Sequence, residues 1–189
     1  MHDSQLLLEA LRRGSAEAFQ QVYFAEKNRL FGMLLRLSGD AHVAADLFQN
    51  VWLKLARHAA RLHDDTNLRA WLHTVARREY LSYRRAQVVD LSRFLAWGRH
   101  VETTARSFAA TSETDALEAA LEAVSERDRE VLLLVGVAEL SSAQAAEALG
   151  ISDATFRQRL ARARQRLAAE IERAHTCPQP RAIARKARS

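Results

Sequence analysis

No proline occurs between Met1 and Cys177; the two in the chain, Pro178 and Pro180, stand near its end. Glycine is also scarce, with six among 189 residues. A proline inside a helix costs about 3 kcal/mol, so a stretch this long without one leaves helices free to run. A β-sandwich or a nucleotide-binding α/β sheet needs far more turn residues. An all-α chain is expected. The single cysteine, Cys177, cannot form a disulfide within the chain, which points to a reducing, cytoplasmic setting. The longest apolar run, Val131–Ala138, is too short to cross a bilayer. His2, Asp3 and Ser4 stand where a signal peptide would carry basic and then apolar residues. No membrane insertion is expected.

Catalytic patterns are missing as well. There is no glycine-rich phosphate loop, and the histidines are scattered. His42 and Asp46 are four apart on a helix, but no third ligand has matching spacing. Asp64-Asp65 sits in a polar loop and reads as a solvated turn. The expectation is therefore a protein that is not an enzyme, with no cofactor, no metal and no small-molecule substrate.

What is present is a basic chain, with a net charge of +5 and a sequence pI near 10.0, whose hydrophobic content of 48% excludes a disordered chain. Residues 5–88 are basic overall, whereas 116–173 are slightly acidic. The tail 174–189 carries Arg181, Arg185, Lys186 and Arg188 without an acid and is expected to be disordered. Apolar spacing predicts four helices in 5–88: Leu6–Arg13, one starting near Ser15 and ending before Gly39, Ala41–Leu62, and Leu68–Arg85. The polar turn His63–Asn67 separates the last two. Residues 89–115 are rich in Ser and Thr and read as a flexible linker, with Leu91, Phe94, Leu95 and Trp97 as apolar docking points. In the second block, Ser125 with Asp128 and Ser141 with Gln144 are helix-start signals. Gly150 ends the second of these helices, and Ser152 opens a longer one over about Asp153–Arg173. Short helix, glycine turn and longer helix is the spacing of a helix-turn-helix.

The last helix carries the clearest chemistry. Phe156, Leu160, Ala163 and Leu167 share one face, and Arg157, Gln158, Arg159, Arg162, Arg164 and Arg166 occupy the rest, with no acid between Ala154 and Ala169. Such an arginine row suits DNA phosphates, and Arg or Gln near a helix start can reach base edges in the major groove. In the fourth helix Arg77, Arg78, Arg84 and Arg85 interleave with Tyr80 and Tyr83, one to two turns after Trp71 and His73. Cations among flat rings suit unpaired strands, although Trp71 and Tyr80 fit a core role equally well. Asp46, Gln49, Asn50 and Lys54 form a polar face on the third helix, usable by a protein partner or simply wet.

Two stretches together resemble one family. Asp46–Leu62 (DLFQNVWLKLARHAARL) with Leu68–Arg85 (LRAWLHTVARREYLSYRR) resembles region 2 of bacterial sigma factors, and Val124–Leu167 resembles region 4. Having these two regions alone, joined by a short linker, is similar to the extracytoplasmic-function (ECF) group of the sigma-70 family. The resemblance implies two small helical domains, a region 2-like one over 5–88 and a region 4-like one over 116–173. It implies that Asp46, Gln49, Asn50 and Lys54 contact the β′ clamp of core RNA polymerase. His63, Asp64, Asp65, Thr66 and Asn67, with Trp71, Arg77, Arg78, Tyr80, Tyr83, Arg84 and Arg85, would bind and unpair the −10 promoter element. Ser152, Thr155, Arg157, Gln158, Arg159, Ala161, Arg162 and Arg166 would read the −35 element as duplex, with the same domain on the polymerase β flap. A cognate anti-sigma factor would hold the protein inactive.

The chain departs from the family pattern at Asn50, where an acid is usual, at Arg78 (asparagine), at Ser82 (aspartate) and at Ser125 (proline). Two other readings fit part of the pattern. One is a helix-turn-helix regulator independent of polymerase; the other is a sigma-mimicking adaptor that sequesters an anti-sigma factor.

Overall fold

The computed structural model describes the backbone of residues 2–96 and 113–176, with side chains for 5–87 and 116–173. Among the described residues there are eight α-helices and no strand: α1 His2–Arg12, α2 Ala16–Ser38, α3 Ala41–His58, α4 Leu68–Ala96, α5 Glu113–Ala123, α6 Glu126–Gly136, α7 Ser142–Leu149 and α8 Asp153–Thr176. No described helix is long and apolar enough to cross a membrane.

The helix boundaries follow local chemistry. Ser15 caps α2 by accepting from Ala18 N, and Gly39 ends it at φ +67, a left-handed conformation open to glycine at little cost. The Asp40 carboxylate accepts from His42 N and Val43 N to start α3. The Asn67 carboxamide oxygen accepts from Ala70 N at 2.9 Å at the start of α4.

Two boundaries differ from the sequence expectation. The third helix ends at His58 and tightens into a 3-10 turn over Ala59–Arg61, which carries buried Ala59 and is followed by buried Leu62. The fourth helix runs on to Ala96, through the first part of the expected linker, because nothing after Leu68 breaks it before Gly98. At its other end 113–115 belong to α5, and the stretch between, 97–112 with Trp97, lies outside the described residues; the first residues of the expected tail, 174–176, continue α8, and the tail from 177 onward also lies outside.

The first four helices pack as a bundle, α2, α3 and α4 each touching the other two, around Leu30, Leu34, Val51, Leu55, Leu72 and Ala76. The last four enclose Leu133, Leu134, Ala145, Phe156 and Ala163. The two groups do not stand apart. α4 lies against α7, α2 lies against α6, and buried apolar side chains from both halves form one continuous cluster. Gly32 sits at this seam: a Cβ there would meet the Val137 side chain at 3.6 Å. That is ordinary van der Waals contact, so the seam itself leaves room for a small side chain at this position.

Candidate nucleic-acid interface

Three exposed surfaces carry the residues singled out from sequence. The first is on α3. Burial of Ala44, Leu47, Val51 and Leu55 against α2 and α4 turns Asp46, Gln49 and Asn50 outward. Leu53 continues their row at the same helical spacing and is 44% exposed. In the sequence Leu53 carries no signal of this exposure, because one leucine in an amphipathic helix looks like core. Trp52 faces inward and joins Phe19, Tyr23 and Phe48 in an aromatic cluster, with ring centroids 4.9–5.8 Å from its own. Lys54 reaches back to Glu79 on α4 and is partly committed to that pair.

The second surface is the 63–67 loop with α4. His63, Asp64, Asp65 and Asn67 are exposed and Thr66 is half-buried. Asp64 pairs with Arg12 of α1, which braces the loop from outside. Trp71 is half-buried against the core, and His73 is fully buried. Farther along α4, Arg78, Arg84 and Arg85 are exposed and Tyr83 is half-buried. Tyr80 is buried, and its hydroxyl donates to Glu126 of α6 at 2.7 Å. Burial, then the Glu126 hydrogen bond, pushes that phenol up to about 12. Arg77 Nε donates to Glu130 at 2.5 Å, and Arg84 lies 3.3 Å from Glu126 while donating to the Tyr80 hydroxyl at 3.0 Å. In this arrangement α6 therefore engages Arg77, Tyr80 and Arg84, whereas Arg78, Tyr83 and Arg85 face away from those acids.

The third surface is α8. A capping box joins Ser141 and Gln144 at the start of α7, and Gly150 closes that helix at φ +66. Ser152 Oγ then accepts from Thr155 N at 3.2 Å to begin α8. Phe156 and Ala163 have no exposed surface, Leu160 is buried and Leu167 is half-buried, so the predicted apolar face is the packed one. Arg157, Gln158, Arg159, Ala161, Arg162, Arg164 and Arg166 are all exposed. Arg157 pairs along the helix with Asp153 at 2.7 Å. Arg166 instead reaches Asp128 of α6 at 2.6 Å. Burial opposes ionisation of Asp128, but hydrogen bonds from Ser125 and Arg166 outweigh it and hold the carboxyl below its ordinary range. Arg166 thus fastens α8 to α6, a role invisible in a row of like residues.

Two helical groups, the second ending in a helix-turn-helix, are the frame of a transcription protein, and the comparisons place it in the sigma-70 class. The family models described as Sigma-70 region 2 and Sigma-70, region 4 match residues 22–88 and 114–167, together more than half of the chain. The chain is 30% identical over 156 residues to the ECF RNA polymerase sigma factor SigM of Bacillus subtilis, covering 81% of this chain and 94% of that one. It is 33% identical over 140 residues to the ECF RNA polymerase sigma factor EcfG of Rhodopseudomonas palustris, covering 71% and 75%. A probable RNA polymerase sigma factor, RfaY, of Xanthomonas campestris is 28% identical over 84% of this chain, which spans only 41% of that protein. Among solved structures, the sigma factor RpoE in complex with the anti-sigma factor NepR from Bartonella quintana superposes with a TM-score of 0.71. It is 26% identical, and the match covers 83% of this chain and 98% of that one. CnrH, solved with the cytosolic domain of CnrY, shares the fold with a TM-score of 0.67 at 21% identity, covering 89% and 97%. The chain belongs to the ECF RNA polymerase sigma factors.

Proposed function

We propose that the protein binds core RNA polymerase in the cytoplasm and directs it to promoters by reading two separated DNA elements. Polymerase supplies the chemistry, and the protein acts by binding, without a cofactor. The observation that carries this reading is the exposed arginine row of α8, set on a helix whose cap, turn and packed face together form a helix-turn-helix. Its N-terminal half, from Ser152 and Thr155 through Arg157, Gln158, Arg159, Ala161 and Arg162, would enter the major groove of the −35 duplex. The 63–67 loop and α4 would engage the −10 strand, with cations on phosphates and rings on bases. The outward row Asp46, Gln49, Asn50 would dock on the β′ clamp, Leu53 adding an apolar contact, and the second domain would rest on the β flap. The structural relative solved with an anti-sigma factor supports regulation by such a partner.

Separate binding of each element tests the assignment. Arg162→Ala is expected to weaken a −35 duplex by about 1–3 kcal/mol and leave a −10 strand alone. Arg85→Ala should do the reverse. Equal losses on both DNAs would contradict two distinct sites, and failure of core polymerase with this protein to open any promoter of its genome would sink the sigma reading.

A further inference from the structure

On the reading that the 63–67 loop meets the unpaired −10 strand, on which the inference below rests, two acids lie against a polyanion. Asp64 and Asp65 are both exposed, and the strand carries a negative charge at every phosphate. Like charges closer than a Debye length, about 8–10 Å at moderate salt, repel with little screening. A loop of this composition is therefore a poor partner for DNA unless a cation stands beside it.

The end of α1 supplies that cation. Arg12, the last residue of the helix, donates to the Asp64 carboxylate from 52 residues away in the chain. Packing sets its position. Leu8 and Leu11 are buried, and α1 lies against α2 and the 59–61 turn. That turn buries Ala59 and is followed by buried Leu62, so the loop leaves the core beside the end of α1. Glu9, Arg12, Arg13 and Asp64 line the cleft between them. Arg13 turns back to Glu9 on its own helix. Arg12 is the more covered partner of its pair, 34% exposed against 85% for Asp64, so the helix holds the cation and the loop carboxylate comes to it. Asp65 has no ion pair among the described residues. An exposed pair of this kind adds little to stability; its consequence is for the charge that the loop presents. α1 also lies ahead of residues 22–88, the stretch matched by the region 2 model.

We infer that Arg12 of α1 is a positioning residue for −10 engagement: it holds the Asp64 carboxylate and cancels its charge, so that an acidic loop can lie against a polyanionic strand. Asp65 keeps its charge, and the loop then meets the strand with one negative charge in place of two.

Core RNA polymerase carrying the full-length protein tests this on a forked DNA, with a duplex −35 element and an unpaired −10 strand taken from a promoter that the holoenzyme opens. At low salt Arg12→Ala is expected to weaken binding about three- to tenfold. The loss should shrink as salt rises and be absent for DNA carrying the −35 duplex alone. Arg12→Lys keeps the charge and should bind within about twofold of the unaltered protein. The deciding variant is Arg12→Ala/Asp64→Asn, which removes both charges and should regain most of the lost affinity. Asp64→Asn alone should bind at least as tightly as the unaltered protein. A pair that served only as a mechanical brace would behave otherwise: Asp64→Asn would weaken binding as much as Arg12→Ala, and the double change would recover nothing. That pattern would overturn the charge role, as would a loss in Arg12→Ala that salt does not alter. Asp65→Asn separates the two ways of failing. If it and Arg12→Ala both leave affinity for the forked DNA unchanged, the loop does not meet the strand, and the role of Arg12 falls with that reading. If Asp65→Asn alters affinity while Arg12→Ala does not, the loop meets the strand and only the role of Arg12 fails.

Discussion

His73 shows what burial does to one titratable group. It has no exposed surface, its Nδ1 lies 3.3 Å from the Met33 sulfur, and its Nε2 has no partner among the described residues. Burial first, and then the nearby Arg69 and Arg29 cations, lower its pKa from 6.5 to about 4. Between those values the unfolded chain carries a proton on this ring that the folded chain does not, so unfolding takes up a proton. The contribution of His73 is fully present above 6.5 and is lost as pH falls towards 4, up to about 3 kcal/mol. Urea unfolding of the unaltered protein should weaken across that window, and His73→Leu should flatten the slope; an unchanged slope would mean other groups dominate. Glu139 offers a complementary test. Glu139→Gly removes a backbone cost of about 1 kcal/mol at φ +53 along with exposed ion pairs to Arg29 and Arg69 worth about as much or less. Its thermal midpoint is expected to equal or exceed that of the unaltered protein, and a clear fall would show that the pairs to Arg29 and Arg69 outweigh the strain.

Among the elements, those with local causes were legible in the sequence. Ser15, Ser125, Ser141 and Ser152 announce helix starts, and each accepts the backbone bond that its position suggests. Ser141→Ala would remove the hydroxyl half of the α7 capping box, the bond from Gln144 N, and leave the backbone bond from residue 141 to the Gln144 side chain; the cost is about 1 kcal/mol, measurable as a lowered denaturant midpoint with unchanged slope. The packed face of α8 was likewise readable, since Phe156, Leu160 and Ala163 fall on one stripe. The end of α3 was not, because a 3-10 turn differs from a last α turn only in how Ala59 and Leu62 seat against their neighbours. Nor was the length of α4: polarity after Arg85 suggested a linker, yet helix continuation needs only the lack of a breaker. Asp128 illustrates a nonlocal dependence. It assists the α6 cap through Ser125 and holds Arg166 of α8. Asp128→Ala should therefore destabilise the α6–α8 packing by about 1–3 kcal/mol, whereas Arg164→Ala, for which the described residues show no ion pair, should leave stability nearly unchanged and alter only DNA affinity.

Taken whole, the protein joins two helical groups through a mixed seam of apolar contact and ion pairs, and this decides which surfaces are available. Because buried apolar residues of both groups form one cluster, calorimetry at low salt should show a single cooperative transition. Glu126→Lys/Glu130→Lys, which sets like charges against Arg77 and Arg84, should split it into two. A single transition in that variant would show that apolar packing alone maintains the seam. The sequence by itself determined the helical class and the residue types on each surface, because periodicity, caps and arginine rows depend on neighbours within a few turns; the family was legible only as a resemblance of its motif stretches. Only the tertiary structure decided that Arg77, Tyr80 and Arg84 of α4 and Arg166 of α8 are taken up by α6 carboxylates, while Gln158, Arg159, Arg162 and Arg164 stay exposed. That outcome depends on carboxylates some forty to fifty residues away in the chain, and no local spacing records whether a distant acid will meet a given arginine.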